Sequence, residues 1–141
     1  MIDTEILIIG GGAAGLTAAI ELSQDHKVSV ISKEKIVDSS TWYAQGGIAA
    51  VMGEKDSIEE HISDTLEVGD GICNKNAVSH CVKNSKAAID WLIEMGVNFT
   101  KTKDGEKLHL TQEGGHSKRR VAHSRDTTGK EVSNSLIQKA R

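Results

Sequence analysis

The sequence predicts an α/β fold that opens on a strand–helix–strand unit. Three observations carry this. Ile6 to Ile9 form a short apolar run. Gly10-Gly11-Gly12-Ala13-Ala14-Gly15 follows at once, in G-x-G-x-x-G spacing. An apolar-periodic segment then leads to a second β-branched run at Val28, Val30 and Ile31. The unit fills roughly 30 residues, the frame in which this glycine spacing binds a dinucleotide. Residues 1–141 therefore read as the N-terminal part of a Rossmann-like domain, incomplete as it stands.

Each element has its own warrant. Ile6 to Ile9, unbroken by polar residues, predicts a strand buried on both faces, as in a parallel sheet. Gly10 permits the tight turn, Gly12 lets backbone approach a ligand, and Gly15 lets helix pack on strand. The helix start aims amides and a positive dipole end at a diphosphate. The helix runs from about Ala13 to Gln24, with Leu16, Ala19 and Ile20 inward. Asp25-His26-Lys27 is the turn into the second strand.

A nicotinamide-binding fold wants an acid where that strand ends, to hold ribose. Ser32-Lys33 stands there instead. Lys33 suits a 2′-phosphate, a contact to ribose or adenine, or plain solvent. The next segment, Asp38 to Ala50, is a loop of hydroxyls, two aromatics and a Gly pair. It suits a cofactor with a ring system, or a surface loop with buried aromatics.

Composition excludes several functions. The 141 residues are 38% hydrophobic and 26% charged, enough for one modest core. Aromatics are 3% and Pro is absent, so that core rests on Ile, Val, Leu and Ala. A net charge of -3 argues against nucleic acid and anionic membrane. Cys73 and Cys81 lack C-x-x-C spacing, which fits a reduced, cytoplasmic setting. The acidic N-terminus does not read as a signal peptide, and no apolar run is long enough to span a membrane.

Further along, Ser57-Ile58-Glu59-Glu60 is a capping box for a helix to Val68, stopped by Gly69. Asn76 is expected to cap a longer helix to Met95, with Val78, Cys81, Val82, Ala88, Ile89 and Leu92 on its apolar face. Cys81 on that face reads as a buried small residue. Phe99 to Leu110 reads as a hairpin turning at Asp104-Gly105. The stretch from Leu110 to Asp126 gathers Glu113, His116, Arg119, Arg120 and His123 around Gly114-Gly115. Such a mixture holds a charged small substrate, or forms a solvated network. His109, His116 and His123 recur every seven residues, but no helix carries all three, and no metal site is expected. A last helix opens at Thr128 with Val132, Leu136, Ile137 and Ala140 on one face.

Three stretches together resemble a known family. Ile8 to Gly15, Ser40-Thr41-Trp42-Tyr43-Ala44-Gln45-Gly46-Gly47-Ile48-Ala49, and Thr111-Gln112-Glu113-Gly114-Gly115-His116-Ser117 are similar to the flavoproteins of the succinate dehydrogenase/fumarate reductase group. Asp64 to Cys73 and Trp91 to Val97 match the branch of that group that oxidises L-aspartate. The resemblance implies FAD as cofactor. Carried over by position, Gly10, Gly11, Gly12, Ala13, Ala14 and Gly15 hold the diphosphate, and Lys33 lies near the adenosine. Ser40, Thr41, Trp42, Tyr43, Ala44, Gln45, Gly46 and Gly47 wrap the flavin side. Membrane-bound members carry a flavin-linking His where this chain has Ser40, so noncovalent FAD is implied.

By the same resemblance Glu113 contacts the substrate ammonium, with His116 and Ser117 as weaker candidates. The reaction implied is oxidation of L-aspartate to iminoaspartate, with hydride passing from Cα to flavin N5. Oxygen or fumarate takes the electrons, and the product feeds quinolinate synthase and NAD biosynthesis. Family members are several-fold longer, and their capping and helical domains with the acid/base Arg follow later. No catalytic residue is therefore expected within 1–141. The alternatives are an inactive FAD-binding fragment, or a soluble fumarate reductase or succinate dehydrogenase flavoprotein.

Overall fold

A computed structural model gives the structure of the protein and describes residues 3–141. In chain order the elements are β1 (Ile6–Ile9), α1 (Ala13–Leu22), β2 (Val28–Ile31), α2 (Ser40–Tyr43), β3 (Ile48–Ala49), α3 (Ile58–Val68), α4 (Lys75–Glu94), β4 (Leu110–Thr111), β5 (Val121–Ala122) and α5 (Thr128–Lys139). They sort into two compact units. One runs to Gly46 and adds Met95–Asn98 and Asp126–Arg141; the other holds Gly47–Glu94 and Phe99–Arg125.

In the first unit β1 and β2 pair in parallel, from Ile6 with Val28 to Ile9 with Ile31. Leu16 and Ala19 of α1 are buried, and this helix contacts both strands. The other face differs from expectation: Leu7 is 53% and Ile9 81% exposed. A two-stranded sheet covered by helix on one side leaves its alternate residues open, because side chains alternate across a strand. The helix also stops at Leu22, two residues early. There Ser23 Oγ donates to the Ile20 carbonyl, and the amides of Asp25 and His26 turn back to the Leu22 carbonyl.

Residues from late in the chain complete this unit. Val132, Leu136 and Ile137 of α5 are buried, and α5 packs on α1 and α2. The Gly129 amide donates to the Ala44 carbonyl at 3.0 Å. A Cβ at Gly129 would collide with the carbonyl oxygens of Thr41 and Ala44, so only glycine lets α5 start here. Glu131 Oε1 accepts from the Asn98 amide and from Asn98 Nδ2, and Ser135 Oγ donates to the Gly96 carbonyl. Ala140 is exposed, not inward as its spacing suggested.

In the second unit the capping box forms in altered shape. Ser57 Oγ accepts from the Glu60 amide at 3.1 Å. The Glu60 carboxylate accepts from Ser57 Oγ, while the Ser57 amide goes to Asp56. The cap of α4 is Asn74, not Asn76: Asn74 Oδ1 accepts from the Ala77 amide at 3.1 Å. Two residues of register decide it, since an N-cap serves the amide three places on. Val82, Ile89 and Leu92 form the buried line of α4. Cys81 sits one residue, about 100° of helix turn, off that line and is exposed, contrary to expectation.

The rest of this unit is a small antiparallel sheet ordered β3-β5-β4, which the sequence did not announce. Ile48 and Leu110 both pair with Ala122. The expected hairpin before it shrinks to one bridge, Lys101 with Leu108, turning at Gly105 with φ +75°.

Candidate cofactor turn and substrate loop

The glycine turn has the shape its spacing requires. Gly10 takes φ +125°, and its amide extends the sheet by donating to the Ile31 carbonyl at 2.8 Å. A Cβ at Gly15 would run into the Gly10 carbonyl, so helix and turn touch backbone to backbone. Gly12 is the N-cap of α1 in extended conformation, with no side chain of its own to satisfy the amides beyond it. The Ala13 amide donates to Thr41 Oγ1 at 3.0 Å. Thr41 is held there because α2 is one helical turn rather than loop, capped by Ser39 Oγ, which accepts from the Trp42 amide. Lys130 of α5 lies over the Trp42 ring, 5.4 Å from its centroid.

The remaining expected cofactor residues divide. Lys33, Ser40, Tyr43, Ala44, Gln45 and Gly46 are exposed in this same unit. The Tyr43 hydroxyl donates to Asp38 Oδ1 at 2.8 Å, and that bond holds its pKa above the usual phenol value. Gly47 belongs to the second unit, where a Cβ would collide with the Ala122 carbonyl. Its role there is close packing of β3 on β5.

Glu113, His116 and Ser117 also lie in the second unit, on the loop joining β4 to β5. Glu113 is exposed, and among the described residues its carboxylate has no hydrogen-bond or ion-pair partner; only its carbonyl is used, by the His116 amide. Ser117 is committed: its amide and its hydroxyl both donate to Asp64 Oδ2, each at 2.8 Å. The Ser117 amide above all, opposed by partial burial, holds the Asp64 carboxyl below its ordinary range. The His116 ring meets His61 edge-on at 5.5 Å, and Nδ1 of each is buried without a partner.

Sequence reasoning missed the centre of this unit. Arg120 is wholly buried and grips Asp56 with Nε and Nη2, at 2.9 and 2.7 Å, and Asp64 with Nη1 at 2.7 Å. It is a structural cation, whereas its neighbour Arg119 is exposed. Nothing in Arg119-Arg120 as text separates the two. β5, which follows, is buried at both of its positions, and Arg120 continues that buried run while Arg119 lies outside it. Burial, aided by the Arg120 charge, lowers the His61 pKa. The histidines spaced by seven do not gather: His109 bonds His123, Nδ1 to Nε2 at 2.9 Å, while His116 meets His61. Among the described residues no three His, Cys, Asp or Glu side chains form a metal-ligating group.

The family described as FAD binding domain matches residues 5–141. The chain belongs to this FAD-binding family. Its cofactor is FAD, and the Gly12 turn at the start of α1, whose N-cap has no side chain of its own, fits that group. This FAD-binding chain is 49% identical to L-aspartate oxidase of Yersinia pestis over 140 residues, covering 97% of itself and 26% of that protein. It is 42% identical to L-aspartate oxidase of Acinetobacter baylyi over 137 residues. The chain thus spans about a quarter of the length of the curated relatives it matches. Among solved structures it is similar to E. coli quinol fumarate reductase FrdA, with TM-score 0.91 and 32% identity over 99% of this chain and 24% of that one. No helix among the described residues is long and apolar enough to cross a membrane.

Proposed function

We propose that this chain carries the diphosphate turn and one substrate contact of an FAD-dependent oxidation of L-aspartate to iminoaspartate. The observation that carries the reading is the 49% identity to an L-aspartate oxidase over nearly all of the chain. Bound FAD supplies the two-electron acceptor. The chain's own residues bind and orient. The amides at the start of α1 face the diphosphate, with Thr41 Oγ1 steadying the Ala13 amide. Ser40, which has no ring nitrogen to alkylate, leaves the flavin noncovalent. Lys33 and the segment 40–47 lie along the cofactor.

Glu113 is the substrate residue. An exposed carboxylate with no partner among the described residues is suited to the α-ammonium of aspartate, which succinate and fumarate lack. In this reading residues 3–141 form part of an FAD-binding domain, and the other substrate contacts come from outside them. Oxygen or fumarate takes the electrons, and quinolinate synthase, on the path to NAD, consumes the product. The two free cysteines suit a cytoplasmic enzyme.

The second reading is a fumarate reductase, favoured by the backbone match to FrdA. Peroxide formation dependent on L-aspartate, measured on the full-length flavin-loaded protein, separates them. Activity with aspartate supports the oxidase. Reduction of fumarate by a dye donor, with no aspartate turnover, supports the reductase and sinks the first reading.

A further inference from the structure

We infer that α3 is the positioning element for Glu113, with Asp64 as its principal positioning residue; this rests on the reading of Glu113 as the ammonium contact. The loop from Gln112 to Ser117 contains Gly114 and Gly115, and a glycine pair alone would leave it loose. Instead it lies along one face of α3. Ser117 donates twice to Asp64, Lys118 Nζ pairs with Glu60 at 3.2 Å, and the His116 ring meets His61. Gly115, at φ +81°, passes so near Val68 that a built Cβ would sit 2.7 Å from Val68 Cγ2. Glu60, Asp64 and Val68 follow the i, i+4 spacing of a single helical stripe, and His61, three residues before Asp64, lies beside it.

The loop is also closed on itself. Gln112 Nε2 donates to the His116 carbonyl at 2.8 Å, and the His116 amide donates to the Glu113 carbonyl at 3.2 Å. Asp64 joins this loop to the buried core, because the oxygen that receives Ser117 also receives Arg120 Nη1 at 2.7 Å. Gln112, His116 and Ser117 around Glu113 are thereby tied down, and among the described residues the Glu113 carboxylate is left over. A fixed loop with one uncommitted charge is preorganised: it pays no ordering cost when a cation arrives. Weakening Asp64 should therefore act on ammonium recognition and spare the rest of the ligand.

The test uses the full-length flavin-loaded enzyme, with L-aspartate and succinate affinities read from flavin absorbance and amide exchange read over residues 113–117. Asp64→Asn is expected to weaken L-aspartate about tenfold, as loss of one charge-assisted contact would. Succinate should shift by no more than about twofold, and the Ser117 amide should exchange faster. In a Glu113→Gln background, Asp64→Asn should add nothing for aspartate. Equal weakening of both ligands, or full additivity with Glu113→Gln, overturns the inference. Ser117→Ala leaves the Arg120 ion pairs in place and should give the same pattern more weakly; it decides the matter if Asp64→Asn does not fold. If Glu113→Gln alone leaves aspartate affinity unchanged, the reading of Glu113 fails. Positioning by Asp64 then stands on faster exchange at 113–117 and falls on unchanged exchange.

Discussion

Arg120 and Asp56 face each other fork to fork, Nε and Nη2 of one on the two carboxylate oxygens of the other, with neither side chain more than 2% exposed. Asp64 takes the third guanidinium nitrogen. The pair holds the entry to α3 against the strand that follows the Glu113 loop. Such a pair owes its worth to geometry: two charges removed from water are tolerated only when hydrogen bonds replace hydration on both.

Removing the cation should be severe. Arg120→Ala strands the buried Asp56 carboxylate and strips Asp64 of a partner. The expected loss is about 3–5 kcal/mol, read from urea unfolding. Arg120→Lys keeps the charge but not the fork, and should cost less. A loss below about 1 kcal/mol for the alanine variant, the range of an exposed pair, would contradict this account of the unit.

Gly129→Ala should separate α5 from α2. Its Cβ has no room beside the Thr41 and Ala44 carbonyls. A cost of about 1–3 kcal/mol is expected from overpacking. FAD affinity should fall with it, since Thr41 sits on the same turn and meets the Ala13 amide. Fluorescence titration of the apoprotein with FAD checks this; unchanged affinity would detach α5 from the cofactor turn.

Acid should weaken the second unit in two stages. His61 has a folded pKa below its ordinary 6.5, so the unfolded chain takes up a proton first. Stability then falls as pH drops below about 6.5 and levels off beneath the folded pKa. Asp64 has a folded pKa below its ordinary 3.8. It contributes fully above that value and is lost as pH falls through the folded pKa. Thermal midpoints from pH 8 to pH 3 should decline in both windows, and His61→Gln should flatten only the upper one. A flat profile between pH 7 and 5 would count against a neutral buried His61.

Flavin should leave the protein when it is denatured. With Ser40 at the position before Thr41, acid precipitation should put the yellow colour in the supernatant. A yellow pellet would mean a covalent link through another residue.

Much of the first unit was legible in the sequence because its signals are local. The glycine spacing and the two apolar runs act over a few positions, and each produced the element expected of it. The helices of the second unit were legible too, but its sheet was not, because it is made of two-residue strands and β3 finds its partner β5 more than 70 residues away, Ile48 with Ala122 and Ala49 with Val121. Nothing in Ile48-Ala49 or Val121-Ala122 distinguishes a strand from a loop. Arg120 was read within a substrate-holding or solvated cluster for a similar reason: its burial depends on Asp56 and Asp64, which are remote in sequence. Glu113 was singled out only through family resemblance, and its local composition alone left a solvated network open as the alternative. The exposed faces of Leu7 and Ile9 show the opposite failure, a correct strand with its surroundings assumed.

The Gly129 bond to Ala44 carries a consequence for biosynthesis. The turn proposed to meet FAD is made of residues near the start of the chain, yet α5 is the surface on which α2 rests. A ribosome must add more than 80 residues after Ala44 before Gly129 exists, and the helix behind it must then clear the exit tunnel. At roughly 5–20 residues per second that is an interval of seconds. During it the strand–helix–strand unit can form, but Thr41 has no backing. Flavin capture should thus follow the emergence of α5 rather than that of the glycine turn, and nascent chains stalled before Gly129 should leave FAD in solution.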